Sequence, residues 1–490
     1  MSNAVPEREC AWRVGTAPGI FPFLGHGIAL YRRPLAFLNS LPAHGDLVEI
    51  RLGPQRAWMV CHPELVHRVL GDSRTFDKGG PLFDRLRLLM GNGIVTSRHQ
   101  EHRCQRRLLQ PAFIPSRLPD QTKLMAEEAE AVCRDWQAGQ EVDVSAAMMA
   151  LSTRIISRVL FSDSLDAATA AEVRHCLADI VRGLFVRTVV PVDALFRVPS
   201  PANRRYRRAV ERIHAIIDAA IAERRRGAPR DDLLGTLLAA TRATGPDTAI
   251  TEQEVHDHLV SLLLAGSESA ALCLASAFSL LAQHPQAERR LHADIDAVLA
   301  GRQRPGSDDL PHLVHARCIV TETLRHSPPG WLFTRITTKE TELAGLRLPQ
   351  GATVVYSPYL LHHDPAWFPD PDRFLPERWL PGRAAATHGA MLPFATGSRK
   401  CIGDAFAMTE TTVALATVAA RWRLTHLPGP VAPPRPGATL GPRSLVMICE
   451  PRARVPIGTA PRPGSCTRRE TAAHPVKDSR RAGDSGVDHA

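Results

Sequence analysis

One cysteine in this chain stands in surroundings suited to metal chemistry. The segment Phe394-Ala-Thr-Gly397-Ser-Arg399-Lys-Cys401-Ile-Gly403 places a glycine four residues before the cysteine and another two after it. Glycines at those positions let backbone pass close to the sulfur on both sides. The apolar helix expected after Cys401 points its N-terminal dipole and free N–H groups at the sulfur, which would lower the thiol pKa and moderate the thiolate charge. Arg399 is placed to meet an anionic group near the same sulfur. No second Cys or His is close in sequence, so the pattern excludes a zinc site. A single thiolate suits a metal already held by a macrocycle.

With this loop and the elements that accompany it, the sequence resembles the cytochrome P450 family from about residue 15 to 455. The 394–403 segment matches the family's haem-binding loop, which implies Cys401 as the iron ligand and Phe394, Gly397, Arg399 and Gly403 as cofactor-binding positions. Glu322-Thr-Leu-Arg325 matches its Glu-x-x-Arg element, and Pro376-Glu-Arg378-Trp the segment that supplies a second arginine. On a helix Glu322 and Arg325 share a face. A carboxylate taking both Arg325 and Arg378 would form a buried, charge-assisted network bracing the haem loop. The segment His102-Arg-Cys-Gln-Arg106 through Phe113 is similar to the family's helix over the haem. The resemblance implies that His102 and Arg106 bind haem propionates, with Arg335 and Arg399 doing so from other elements. Arg103 and Arg107, on neighbouring faces, are assigned to solvation or partner docking.

The resemblance also implies that Ala265-Gly266-Ser267-Glu268-Ser269-Ala270 is the oxygen-activating segment. There Gly266, after Ala265, permits a local distortion, Glu268 is the proton-relay acid and Ser269 the hydroxyl. Cleaving dioxygen consumes protons, so a titratable acid beside a hydroxyl is what the chemistry needs. The family usually has Thr where this chain has Ser269. Serine keeps the hydroxyl but lacks the methyl that restricts χ1, so looser coupling of reductant to product is expected. The alternative is a mid-helix serine bonded to its own backbone.

The scaffold expected around these residues is mainly α with a minor β region, forming a single large haem domain of the cytochrome P450 fold. Helical periodicity marks 119–137, 144–160, 168–185, 203–226, 252–283, 286–300 and 403–421, while 47–61 and 333–357 read as short strands. Thr251 and Glu254 form a capping-box pattern before 252–283, and Pro285 stops it. A helix of that length spans roughly 48 Å, so it must run through the core. Its apolar run carries Glu268 and several serines, which fits protein better than lipid. The apolar stretch 17–25 is broken by two prolines and two glycines, so neither a signal peptide nor a transmembrane anchor is expected. Residues 1–14 read as a flexible N-terminal segment and 15–455 as the haem domain. The 456–490 tail, rich in Pro, Arg, Ser and Gly, cannot offset its ordering entropy and reads as disordered.

The 490 residues carry 60 Lys+Arg against 50 Asp+Glu, a net charge of +10, part of it in the tail. This basic surface is either a solvated face or the dock for an acidic electron-transfer partner, beginning at Arg399 and Lys400. No basic stripe with interleaved aromatics points to nucleic acid. Ten cysteines are scattered singly without a CxxC pair, which fits a reducing, cytoplasmic setting with Cys273 and Cys318 in the core. Positions that line the family's pocket are apolar here: Phe83, Leu88, Leu89, Phe185, Val190, Trp331 and Leu332. They suit a small lipophilic substrate that reacts with O2.

Two phrases, Gly45-Asp-Leu-Val-Glu-Ile-Arg-Leu-Gly-Pro54 and Ala202-Asn-Arg-Arg-Tyr206, look like those of actinobacterial members that oxidise cyclic terpenes. The resemblance therefore implies a monomeric haem b monooxygenase that hydroxylates a sesquiterpene or diterpene. With no flavin or nicotinamide domain after the haem domain, electrons from NAD(P)H are expected through a separate ferredoxin and ferredoxin reductase. The open alternatives are a peroxide-driven peroxygenase, a hydroxylase of a polyketide or fatty acid, and a haem sensor without catalysis.

Overall fold

Thr251 caps the longest helix, Glu252–Gln283, in the reciprocal manner its sequence suggests. Its hydroxyl accepts the Glu254 N–H at 3.2 Å, and the Glu254 carboxylate accepts the Thr251 N–H at 2.8 Å. At the far end His284 leaves helical geometry, as a residue before proline must, and Pro285 starts the next helix, Pro285–Leu299. Between these ends Leu259, Leu263, Leu274, Ala275 and Ala277 are fully buried, and the helix is the axis of the larger of two apolar cores. Each leucine sealed there contributes about 1.5–3 kcal/mol.

The computed structural model describes residues 12–162, 166–189, 193–227, 230, 232–242, 250–383 and 389–452, which lie in one unit, Met1–Ala453. Val190 and the 456–490 tail fall outside the described residues. The helices that frame the site are, in chain order, α1 (Gly27–Arg32), α2 (Pro81–Met90), α3 (His99–Leu109), α4 (Val144–Phe161) and α5 (Ala167–Val189). They continue with α6 (Asp193–Arg197), α7 (Pro201–Arg226), α8 (Glu252–Gln283), α9 (Val314–His326) and α10 (Asp404–Ala419).

The largest part of the minor β region is a six-stranded sheet over the second core, accompanied among the described residues by one three-stranded and two two-stranded sheets. The strands of the six-stranded sheet are β1 (Val14–Thr16), β2 (Leu47–Leu52), β3 (Gln55–Val60), β4 (Phe76–Asp77), β5 (Phe333–Thr337) and β6 (Thr353–Tyr356). They run in the order β1-β2-β3-β6-β5-β4. The β2–β3 hairpin turns at Gly53 and Pro54, with Leu52 opposite Gln55. Val14 pairs in parallel with Leu47, and the Trp12 ring packs edge-on against His62. That pairing, with Trp12 as anchor, draws the end of the expected N-terminal segment into the sheet. Both α4 and α8 are long and apolar enough to cross a membrane, but each is a core helix with most of its apolar window buried inside the fold.

Candidate active site

The loop before α10 folds back on itself. The Cys401 N–H donates to the Phe394 carbonyl at 2.9 Å, and the Lys400 N–H to the Gly397 carbonyl at 3.1 Å. Gly397 sits at φ +71, and a Cβ there would lie 2.5 Å from the Leu70 carbonyl oxygen, so only glycine fits. Gly403 differs from expectation. A Cβ would meet nothing nearer than the Phe113 ring at 3.9 Å. What Gly403 contributes is its N–H, which bonds toward the Cys401 thiol. That donor, Arg106 and Lys78 all pull the thiol pKa down, yet burial outweighs them and pushes it up. The helix terminus lowers the thiol pKa in the direction expected, but it does not by itself make a free thiolate. A cation at the sulfur would.

Cys401 carries accessible surface, and so does Ala265 in the middle of α8, although its helix neighbours Leu263 and Leu264 are sealed. Accessible atoms at the centre of a core helix mark an internal cavity. Cations gather on the cysteine loop's side of it. Arg399 is buried, donating to Asp77 Oδ1 at 2.7 Å and to the Ser97 carbonyl at 2.9 Å, while its Nε–H is buried without a partner. Arg335 is buried beside Tyr356, and Arg106 reaches from α3 to the Lys400 carbonyl. Lys78, which sequence reasoning missed, is buried with its ammonium on the carbonyls of Val95 (2.8 Å) and Ile94 (3.3 Å). Burial and the nearby Arg335 and Arg399 press its pKa well down. His102 is buried and kept neutral, its pKa pushed by burial and Arg399 down to about 2. Asp77 is the carboxylate bonded within this group, and it also accepts the His99 N–H that opens α3.

Such a surplus of buried positive charge needs anions. The two propionates of a haem ligated at Cys401 fit it, as does the orphaned Arg399 Nε–H. The burial of Arg399 also corrects its expected place on an exterior basic surface. Lys400 is the exposed member, paired with Asp404.

At the centre of α8 the helix is continuous through Gly266. Glycine is needed there for packing, because a Cβ would lie 2.8 Å from Ile156 Cγ1 on α4. The Ser269 hydroxyl donates to the Ala265 carbonyl at 2.8 Å, the backbone bond weighed as the alternative. Glu268 gains a partner that sequence did not indicate: Thr439 donates to its Oε1 at 2.6 Å. Thr439 is held there because the Trp331 indole N–H bonds Gly437 (3.0 Å) and the Leu440 N–H bonds Pro329 (3.0 Å). Burial pushes the Glu268 pKa up to about 7, against the opposing pull of Thr439 and Arg443. A carboxyl so poised can take up and release a proton at neutral pH.

Glu322 and Arg325 on α9 are both fully buried and meet in a two-pronged pair, Nε to Oε2 and Nη2 to Oε1, each 2.9 Å. Arg325 also donates to the carbonyls of His362, Pro371 and Arg373. The second arginine contributes less than expected. Arg378 Nε stands 3.5 Å from Glu322 Oε1, and its closer bond is to the Asp370 carbonyl. The remaining carboxylate positions are filled by the Trp379 indole N–H (2.8 Å) and the Leu375 N–H (2.9 Å). His362 carries the brace to the cysteine loop. Its Nε2 accepts the Leu392 N–H at 2.9 Å, which leaves Nδ1–H to donate to the Arg325 carbonyl.

The apolar positions divide. Phe185 and Leu332 are partly exposed, and the Phe185 ring leans on Trp331. Trp331 itself is buried, and Leu89 belongs to the main core because the apolar stripe of α2 turns inward. Phe83 is buried under the guanidinium of Arg335 and the ammonium of Lys78, as a cation–π partner. Leu88, on the opposite face of α2, is exposed.

Three comparisons bear on this geometry. The family model described as Cytochrome P450 matches residues 17–449. Cyclooctat-9-en-7-ol 5-monooxygenase of Streptomyces melanosporofaciens is 50% identical, covering 92% of this chain and 98% of its own. Cyclooctatin synthase of the same organism is 46% identical (90% and 96% covered), and pentalenene oxygenase of Streptomyces avermitilis 42% (89% and 95%). The crystal structure of the cytochrome P450DA heme domain superposes with a TM-score of 0.79 at 25% identity, covering 91% of this chain and 99% of that one.

Proposed function

The chain belongs to the cytochrome P450 family and is a haem-thiolate monooxygenase, and from that premise we propose that it hydroxylates a cyclic terpene with electrons delivered by a separate ferredoxin and its reductase. The observation that carries the substrate class is the near full-length identity to three oxygenating relatives of terpene metabolism, 50% in one case.

In this reading Cys401 ligates the iron, and Lys78, His102, Arg106, Arg335 and Arg399 hold the propionates. When bound, a thiolate-ligated haem supplies the oxidising power that places one atom of dioxygen into an unactivated C–H bond. Glu268, steadied by Thr439, takes protons from the interior side of α8 and gives them up near neutral pH; Ser269 offers the adjacent hydroxyl. Ala265, Phe185 and Leu332 present apolar surface to a substrate with few polar handles. The ferredoxin is assigned to the cysteine side, where Lys400, Arg103 and Arg107 are exposed. We assign the chain to the cytoplasm as a monomer, with NAD(P)H as the ultimate reductant.

The acid–alcohol pair Glu268–Ser269 favours dioxygen over peroxide as oxidant, since an enzyme specialised for peroxide often lacks that pair. The test compares product formed with ferredoxin, reductase and NADPH against product formed with hydrogen peroxide, using a panel of cyclic terpenes. Reductant-driven hydroxylation that disappears in Cys401→Ala and leaks more peroxide in Ser269→Ala is expected. Turnover with peroxide alone would overturn the oxidant, and activity confined to fatty acids or polyketides would overturn the substrate.

A further inference from the structure

Where α2 and the loop after it meet α7 and α8, two imidazoles stack. The rings of His214 on α7 and His256 on α8 lie within 13° of parallel with centres 4.9 Å apart, and His214 Nδ1 stands 3.2 Å from His256 Nε2. His256 is buried and His214 half-buried. His214 donates to the Leu89 carbonyl of α2. His256 Nε2 is 3.5 Å from Asp218 Oδ1, one turn along α7, and its Nδ1 is 3.5 Å from Asp257 Oδ1. Asp257 in turn accepts the Asn92 N–H at 2.7 Å and the Gln253 side-chain amide at 2.8 Å. The loop lies so close that a Cβ on Gly91 would collide with the Asp257 carboxylate. His258 extends the seam by accepting the Ile94 N–H at 3.2 Å; burial pushes its pKa down to about 4, which keeps it an acceptor at neutral pH.

Two facing imidazoles can share one proton but not hold two. The groups that bear on the pair are Asp257 from α8, Asp218 and the His214 carbonyl from α7, and the Leu89 carbonyl from α2. Arg225, further along α7, is engaged by Glu252 of α8. Asp257, and with it the more exposed Asp218, favours a charge on His256 and raises its pKa against the effect of burial. Burial and the neighbouring His256 lower that of His214. With one proton on the pair, His256 is charged beside Asp257 and His214 Nδ1 accepts from it. With none, the attraction to Asp257 is lost. With two, like charges stand 3.2 Å apart and His214 Nδ1 has turned from acceptor to donor.

We propose that the His214–His256 pair is a one-proton latch, which fastens α7 and the segment between α2 and α3 to α8 while it holds a single proton and loosens them when it holds none or two. The segment so fastened also serves the cofactor side of the fold. Its carbonyls at Ile94 and Val95 accept Lys78, and that at Ser97 accepts Arg399. The proton count at the seam therefore reaches the cation cluster through backbone alone. The raised His256 contributes stability that is full below its unfolded pKa and fades as pH rises through its folded one. The depressed His214 is a cost that grows as pH falls from its unfolded pKa toward its folded one. The two limbs meet around the ordinary imidazole value, so the seam is tightest at about pH 6.5.

The experiment is amide hydrogen exchange of the full-length holoenzyme by mass spectrometry at about pH 5, 6.5 and 8, each rate normalised to chemical exchange at that pH. Peptides covering 89–98 and 210–220 should exchange slowest at the middle pH and about three- to tenfold faster at either end, the worth of one hydrogen bond. A peptide covering 144–160 in α4 should stay flat. His214→Phe keeps a stacked ring that takes no proton, so the acceleration at acid pH should vanish while that at alkaline pH remains. His256→Phe should flatten both limbs. Unchanged circular dichroism and carbon monoxide difference spectra certify that the variants are folded, and the pH profile of the parent is a test that needs neither. The proposal is overturned by normalised exchange in 89–98 that is flat across the range, or by an acid limb that survives His214→Phe. It is equally overturned if 144–160 accelerates as much as 89–98, which would make the change a loosening of the whole fold.

Discussion

Thr439→Val removes the hydroxyl that donates to Glu268 at 2.6 Å and keeps the shape of the side chain. That hydrogen bond favours the ionised carboxylate and is one of the influences restraining a pKa that burial has already pushed up to about 7. A hydrogen bond to a charged group contributes about 1.5–3 kcal/mol. At about 1.4 kcal/mol per pKa unit, its loss raises the Glu268 pKa by about one to two units. The ionised fraction at pH 7 then falls from about one half to between about one in ten and one in a hundred. If the ionised acid limits proton delivery, turnover at pH 7 drops by about 5- to 50-fold and recovers as the pH is raised by the same one to two units.

Two assays read this separately. Infrared titration of the Glu268 carbonyl band, identified by its loss in Glu268→Gln, gives the pKa directly. The pH profile of product formed per NADPH gives its consequence. An infrared midpoint that stays put or moves down would falsify the electrostatic account of the pair. A midpoint that rises while the pH profile stays fixed would remove Glu268 from the proton path.

The remaining predictions concern packing and charge. Gly266→Ala puts a Cβ 2.8 Å from Ile156 Cγ1 and should cost about 1–3 kcal/mol in urea unfolding. Ile156→Ala removes both the Cγ1 and the Cδ1 that a Cβ at 266 would meet, so the double variant should lose less than the sum of the two single variants, and strict additivity would sink the packing explanation. Arg325→Ala leaves Glu322 charged and buried, so a loss of about 3–5 kcal/mol and poor haem retention are expected. Trp379→Phe, which removes one donor to the same carboxylate, should cost about 1–3 kcal/mol; calorimetric melting points rank the two. Glu410 is buried, and burial pushes its pKa up to about 8, so at neutral pH the fold holds it protonated while the unfolded chain ionises it. It therefore costs stability increasingly as pH rises from about 4.5 toward 8. Glu410→Gln should gain on the parent by up to about 1.4 kcal/mol per pH unit across that window, and parallel stability–pH curves would refute the assignment.

Much of this was legible in the sequence because the signals are local. Thr251, Glu254 and Pro285 bound α8 within its own few turns, and the spacing of Gly397 to Cys401 encodes a loop that closes on itself. What sequence could not supply are partners chosen by tertiary packing. Thr439 meets Glu268 across 171 positions only because Trp331 and Leu440 bring two distant segments together. A lone lysine at 78 carries no motif, yet burial among arginines makes it part of the cation cluster. Trp379 outcompetes Arg378 for Glu322 because an indole N–H reaches where the longer guanidinium turns to the Asp370 carbonyl. The packing reason for glycine at 266 lies on another helix, at Ile156, and leaves no local signal in the sequence.

The brace behind the cysteine loop has a further consequence for how the protein is made. Its bonds join residues close in sequence: 57 positions separate Glu322 from Trp379, 37 separate Arg325 from His362, and 30 separate His362 from Leu392. Contacts of short sequence separation form early, since little chain entropy is lost in closing them. The cradle for the sulfur can thus assemble as its own cooperative unit while α3, some 294 positions upstream of Lys400, is still searching for its place. Cofactor capture would then mark the moment when the chain's early and late halves meet, with the porphyrin as the piece that joins them.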